Sequence, residues 1–244
     1  MLQLSDGPLV VGVADRPATL ADCAALPFDR RSFDVVEARI DLFDGQALGG
    51  DAAGACARLE STGTPVLVTI RSAAQGGQFK GPETARLALF RDALRVASWA
   101  DVENDAPIAA EVAALLAGRP DGQLIVSHHD FHRTPPLPEL QAVATRCEGV
   151  SPGAIAKIAT RVDDDADRTV LRALLARHPR RIAVIGMGDE AFRVELAAAG
   201  SALAYGFIGA PTAPGQTSAA SLHAQLLAVS AAYAGRRRAA ARAT

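Results

Sequence analysis

GAIAKIATR, residues 153–161, sets small and β-branched apolar side chains around one basic residue, a pattern that reads as a buried strand carrying Lys157. The chain has Lys+Arg 25, yet lysine stands only at Lys80 and Lys157, so arginine supplies nearly all other positive charge. An ammonium among Ile155, Ala156, Ile158 and Ala159 is costly to desolvate. A neutral amine is a nucleophile toward ketones and aldehydes, and on one reading Lys157 is a Schiff-base former. On the other, its ammonium reaches water or pairs with a carboxylate.

Outward from this strand, seven similar runs recur: LVVGVA at 9–14, DVVEARID at 34–41, PVLVTIR at 65–71, ASWADVEN at 97–104, QLIVSHHD at 123–130, RIAVIGM at 181–187 and ALAYGFIG at 202–209. Helical segments rich in Ala, Leu and Arg separate them, at 83–97, 106–118, 137–147, 166–178 and 190–200. Eight alternations in 244 residues predict an α/β fold, a (β/α)8 TIM barrel. An open doubly wound sheet is the alternative, but no G-x-G-x-x-G follows the first strand. The first connection is the weakest helix, because Pro17 and Pro27 interrupt it. Residues 1–235 are expected as one catalytic barrel and 236–244, from AGRRRAAARAT, as a basic tail that is disordered or the frayed end of a helix.

A formal net charge of −2 argues against a general attraction to nucleic acid or an acidic membrane. Cys23, Cys56 and Cys147 are odd in number and widely spaced, and read as buried or half-buried thiols in a reducing compartment. No run approaches the length of a membrane span, and the first residues lack a basic segment followed by a long apolar one. A cytoplasmic protein is expected.

Strand side chains alternate with period 2, which groups polar residues by face. Glu37, Arg39 and Asp41 fall together, as do Thr69 with Arg71, Asp101 with Glu103, Ser127 with His129, and Lys157 with Ile155 and Ala159. Each set lies toward the C-terminal end of its strand, where barrel active sites are built. Singly, each has a structural reading: Glu37 and Arg39 as a barrel ion pair, Asp101 as a satisfied buried carboxylate, His129 as a core histidine. Together they fit cofactor-free chemistry. A lysine imine acidifies the neighbouring C–H, a histidine moves the proton, arginines hold a carboxylate, and carboxylates bind hydroxyls. A lyase or aldolase acting on a small polyhydroxylated keto acid follows. No metal is implied, since alternation puts His128 and His129 on opposite faces.

VEARID at 36–41, VTIRSAAQGG at 68–77, SHHDFHRTPP at 127–136, AKIA at 156–159 and TAPGQ at 212–216 resemble, in order and spacing, the type I 3-dehydroquinate dehydratases of the shikimate pathway. The resemblance covers nearly the whole chain and implies a homodimeric barrel that converts 3-dehydroquinate to 3-dehydroshikimate with no cofactor. It implies Lys157 as the imine former and His129 as the base that abstracts a proton and assists loss of water. Glu37 and Arg39 would contact substrate hydroxyls, and Arg71 and Arg193 the carboxylate end. Gln216 would close over the substrate with residues 211–216, where Thr212 keeps the hydroxyl of the family's serine. Gln75 stands where the family carries a glutamate that positions the histidine; it, Asp101 and Glu103 are supporting residues. Whether Glu103 takes that glutamate's place is left open by the sequence. Two alternatives stand beside this one: a Schiff-base lyase for another cyclic keto acid, and a non-catalytic sensor of a shikimate-pathway metabolite.

Overall fold

A computed structural model describes residues 7–43, 50–178, 182–212 and 215–243. Strands and helices alternate as β1 Leu9–Ala14, α1 Pro17–Ala25, β2 Val35–Arg39, α2 Gly50–Ser61, β3 Val66–Thr69, α3 Glu83–Ala93, β4 Trp99–Glu103 and α4 Ala109–Leu116. They continue as β5 Gln123–Asp130, α5 Leu137–Val150, β6 Ile155–Arg161, α6 Asp165–Arg177, β7 Ile182–Met187, α7 Glu190–Ala198, β8 Leu203–Phe207, α8 Ala219–Val229 and α9 Ala231–Ala243. The strands pair in parallel in the order β7-β6-β5-β4-β3-β2-β1-β8. At the remaining seam the Ala202 N–H donates to the Ile182 carbonyl at 2.8 Å, drawing the start of β8 toward β7. This is the (β/α)8 barrel that the alternation predicts, nearly closed.

Side-chain parity decides what faces where. Odd-numbered apolar residues, among them Val11, Val35, Leu67, Trp99, Ile125, Ile155, Ala183 and Leu203, fill the barrel interior. Even-numbered ones such as Val10, Val36, Val68, Ala100, Val126, Ile158 and Val184 pack outward against the helices. Because both strand faces are buried, these strands read as continuous apolar runs. The three cysteines are free and lie on the buried faces of α1, α2 and α5, and burial pushes each thiol up to about 12.

Two expectations change. Pro17 opens α1 instead of interrupting it, since the first helical position needs no N–H donor. Residues 236–243, expected as a disordered tail or a frayed helix end, lie in α9. Its arginines have a buried partner: Arg236 donates to both oxygens of Asp34 at 2.8 Å, and Arg237 donates to Oδ1 at 3.0 Å. Asp34 also accepts the Val10 N–H at 2.8 Å, so α9 clamps the N-terminal end of the barrel. Burial alone would raise the Asp34 carboxyl, but the two arginines hold it below the usual carboxylate range. Arg236→Ala is therefore expected to lower unfolding stability by about 3 kcal/mol at neutral pH, read from urea denaturation, because it strips a buried charge of its main partner. A loss below about 0.5 kcal/mol would show that α9 is not part of the cooperative unit.

Candidate active site

At the C-terminal end of the barrel the inward polar residues surround a pocket of about 530 Å³, counting its open mouth. Its wall includes Glu37 and Arg39 from β2, His129 from β5 and Lys157 from β6. The segments after the strands add Arg71, Gln75, Thr212 and Gln216, and α7 adds Arg193. Asp101 and Glu103, from β4, lie behind this lining as buried carboxylates. Parallel register sets Glu103, Ser127 and Lys157 side by side on three strands, and Asp101 beside Thr69 two residues earlier along β4.

Asp101 is the hub. Its Oδ2 accepts from Lys157 Nζ at 2.9 Å, while Oδ1 accepts from Arg71 at 2.8 Å and from the Ser127 hydroxyl at 2.6 Å. Burial acts to raise this carboxyl, yet Arg71 and then Lys157 hold it far below the ordinary range. Arg71 also donates to Ser127 Oγ at 2.6 Å, and its own ionisation is pushed up by Asp101, Glu103 and Glu37 against the opposing effect of burial. Lys157 shows the structural reading of its strand and keeps the chemical one in place. Its ammonium has a carboxylate partner, and its side chain lines the pocket.

His129 differs in sign. Desolvation, reinforced by Arg71 and Lys157, lowers its pKa well below the ordinary value, with Asp101 only partly opposing them. A neutral imidazole therefore faces the pocket. Gln75 holds it, with Oε1 accepting the His129 backbone N–H at 3.1 Å and lying 3.3 Å from Nδ1. The turn that presents Gln75, Ala73–Gln75, ends at Gly76 with φ 79°, a left-handed conformation that glycine adopts freely. Among the described residues Glu103 makes no hydrogen bond to His129. It accepts the Ser72 N–H at 2.8 Å and pairs with Arg86, which braces the backbone leading to that turn.

Elsewhere the grouping by face needs amendment. Glu37 and Arg39 are not an ion pair: Glu37 accepts from Thr69 Oγ1 at 2.7 Å, and Arg39 makes two bonds to Asp41 at 2.9 and 2.8 Å. The strand ends at Arg39, and a 3₁₀ turn, Ile40–Leu42, carries Asp41 back to it. Arg193 donates from Nε to the Gly186 carbonyl at 3.0 Å, and burial lowers its pKa to about 10. Gln216 Oε1 accepts both the backbone N–H and the hydroxyl of Thr212, at 2.8 and 3.0 Å. Residues 213 and 214 of the expected closing loop lie outside the described residues.

Tyr205, absent from the candidates, sits with its ring centroid 4.1 Å from Lys157 Nζ and its buried hydroxyl without a hydrogen-bond partner among the described residues. Burial pushes its phenol well above the ordinary value. Alternation could have found it, since it shares parity with the inward Leu203 of β8. Among the described residues no three His, Cys, Asp or Glu side chains gather as metal ligands.

Known proteins resemble this chain over most of its length. The family described as Type I 3-dehydroquinase matches residues 11–232. A 3-dehydroquinate dehydratase of Methanocella arvoryzae is 37% identical over 186 residues, covering 75% of this chain and 81% of that one. That of Archaeoglobus fulgidus is 32% identical over 205 residues, covering 82% and 92%. The crystal structure of the 3-dehydroquinate dehydratase from Aquifex aeolicus superimposes with a TM-score of 0.76 at 22% identity, over 90% of this chain and 98% of that one.

Proposed function

We propose that this chain, which belongs to the type I 3-dehydroquinase family, dehydrates 3-dehydroquinate to 3-dehydroshikimate in the shikimate pathway through an imine on Lys157. The observation that carries the reading is the pairing, in one pocket, of a buried lysine with a histidine kept neutral by its surroundings. The amine adds to the substrate ketone, and loss of water gives an iminium. Asp101, ionised beneath it, stabilises the positive charge. The iminium withdraws electrons from the adjacent carbon, whose proton passes to the free ring nitrogen of His129. The C–H electrons form the new double bond as the β-hydroxyl departs, protonated by the same imidazolium. Water then hydrolyses the imine and releases the conjugated ketone. Glu37 and Arg39 bind substrate hydroxyls. Arg193 receives the carboxylate, and Thr212 and Gln216 border it. Arg71 is engaged by Asp101 and Ser127, so in this reading it acts mainly through them.

Purified protein mixed with 3-dehydroquinate should develop conjugated-enone absorbance, and His129→Ala should lose about 10³-fold in kcat. No absorbance from folded wild-type protein would sink the reading. A base must be neutral to act, and the depressed pKa of His129 keeps it so at and below pH 6.5. The acid limb of kcat/KM should accordingly fall well below pH 6.5, and a limb at or above that pH would count against His129 as the base.

The proposal extends to a homodimer in the cytoplasm. Free buried thiols support a reducing compartment, and among the described residues no helix is long and apolar enough to cross a membrane. Light scattering of the purified protein tests the dimer.

A further inference from the structure

Gln75 has a second partner on the side away from the imidazole. Its Nε2 donates to Asp105 Oδ1 at 2.7 Å, two residues beyond the end of β4. The contact is directional in a way that matters for His129. A carboxylate only accepts, so Asp105 takes the –NH₂ end of the amide and turns the carbonyl end toward the ring. That oxygen also only accepts. Facing it, His129 Nδ1 must carry its hydrogen, which leaves the lone pair on the other ring nitrogen.

The geometry points to Asp105 as a positioning residue: through Gln75 it selects the tautomer in which His129 can act as a base. This rests on the proposed role of His129. Asp105 itself lies on the exposed flank, outside the pocket lining, so it touches neither the imidazole nor a bound substrate. Its negative charge does a second thing. With a carboxylate 2.7 Å from the amide nitrogen, position 75 of this chain is built for a neutral donor, and a glutamate there would face a like charge. The bridge thus couples positions 75 and 105: amide with carboxylate, or carboxylate with amide.

The coupling has a sign that a merely structural contact lacks. Asp105→Ala should lower kcat about tenfold with KM unchanged, the rate equivalent of one charge-assisted hydrogen bond. In a Gln75→Ala background the same change should have no further effect. Gln75→Glu should also lose about tenfold, and Asp105→Asn added to it should restore most of the loss, because the repulsion becomes a hydrogen bond again. Equal losses from Asp105→Ala in both backgrounds, or no rescue of Gln75→Glu by Asp105→Asn, would overturn the inference. ¹⁵N NMR of His129 in the resting protein gives a readout independent of turnover. An Nδ1–H tautomer in the wild type that shifts toward Nε2–H in Asp105→Ala supports the positioning role even if dehydroquinate is not the substrate. An Nε2–H wild type overturns it whatever the activity.

Discussion

Lys157→Ala should abolish turnover of 3-dehydroquinate, with a fall in kcat on the order of 10⁴-fold, while the protein still folds. The rate loss follows from chemistry no other group in the pocket can supply. Without the amine there is no iminium to draw electrons from the substrate, and His129 would have to deprotonate carbon beside an unactivated ketone. The fold survives because the deletion leaves Asp101 with Arg71 and Ser127 as donors, at 2.8 and 2.6 Å. One ammonium and one of three hydrogen bonds are lost together, at a cost of about 1–3 kcal/mol. Borohydride added during turnover should fix substrate to wild-type protein as a secondary amine on the peptide that holds Lys157, and should leave Lys157→Ala unmodified. Retention of a tenth of wild-type activity by the alanine variant would remove the imine from the mechanism.

Strand periodicity reached the eight strands, and of the odd-numbered polar residues that alternation grouped, Glu37, Arg39, Arg71, His129 and Lys157 line one pocket. Parity survives because a barrel strand has only two environments, and a one-residue slip would exchange them. Contacts that depend on where a chain turns were out of reach. Asp41 shares the parity of Glu37 and Arg39, but it meets Arg39 because the strand stops there and a 3₁₀ turn bends it back. Arg236 and Arg237 read as solvated charge, because Asp34, their partner, lies about 200 residues earlier and only closure of the barrel brings it near. The roles of the two β4 carboxylates diverge for the same reason. Both face Arg71 at the end of β3, but Asp101 also takes Lys157 of β6, while Glu103, of equal parity, finds the Ser72 backbone and Arg86 of α3. Asp105 continues the parity of Asp101 and Glu103, but it lies in a turn beyond the end of β4, where parity no longer places a side chain.

Asp101→Ala should be the most destabilising single change at the site, at about 3–5 kcal/mol near neutral pH, measured by urea denaturation. The residue left behind explains the size. Arg71 and Lys157 would remain as neighbouring buried cations, 4% and 5% exposed, with their shared counter-charge gone. Asp101→Asn should cost less, since the amide oxygen can still accept from them, and it isolates the charge from the cavity. The pH dependence has a definite sign. The native carboxyl is held below its unfolded value near 3.9, so its contribution is complete above about pH 4 and is lost as pH falls toward the native pKa. The gap in stability between wild type and Asp101→Asn should therefore be widest near neutrality and shrink below pH 4. A gap that is constant with pH would mean the charge contributes little and packing explains the loss. Activity should follow a separate course. Asp101 is the group that partly offsets the cations around His129, so its neutralisation should move the acid limb of kcat/KM to still lower pH. Weaker stability together with an acid limb displaced downward is the signature of one carboxylate serving the fold and the base together.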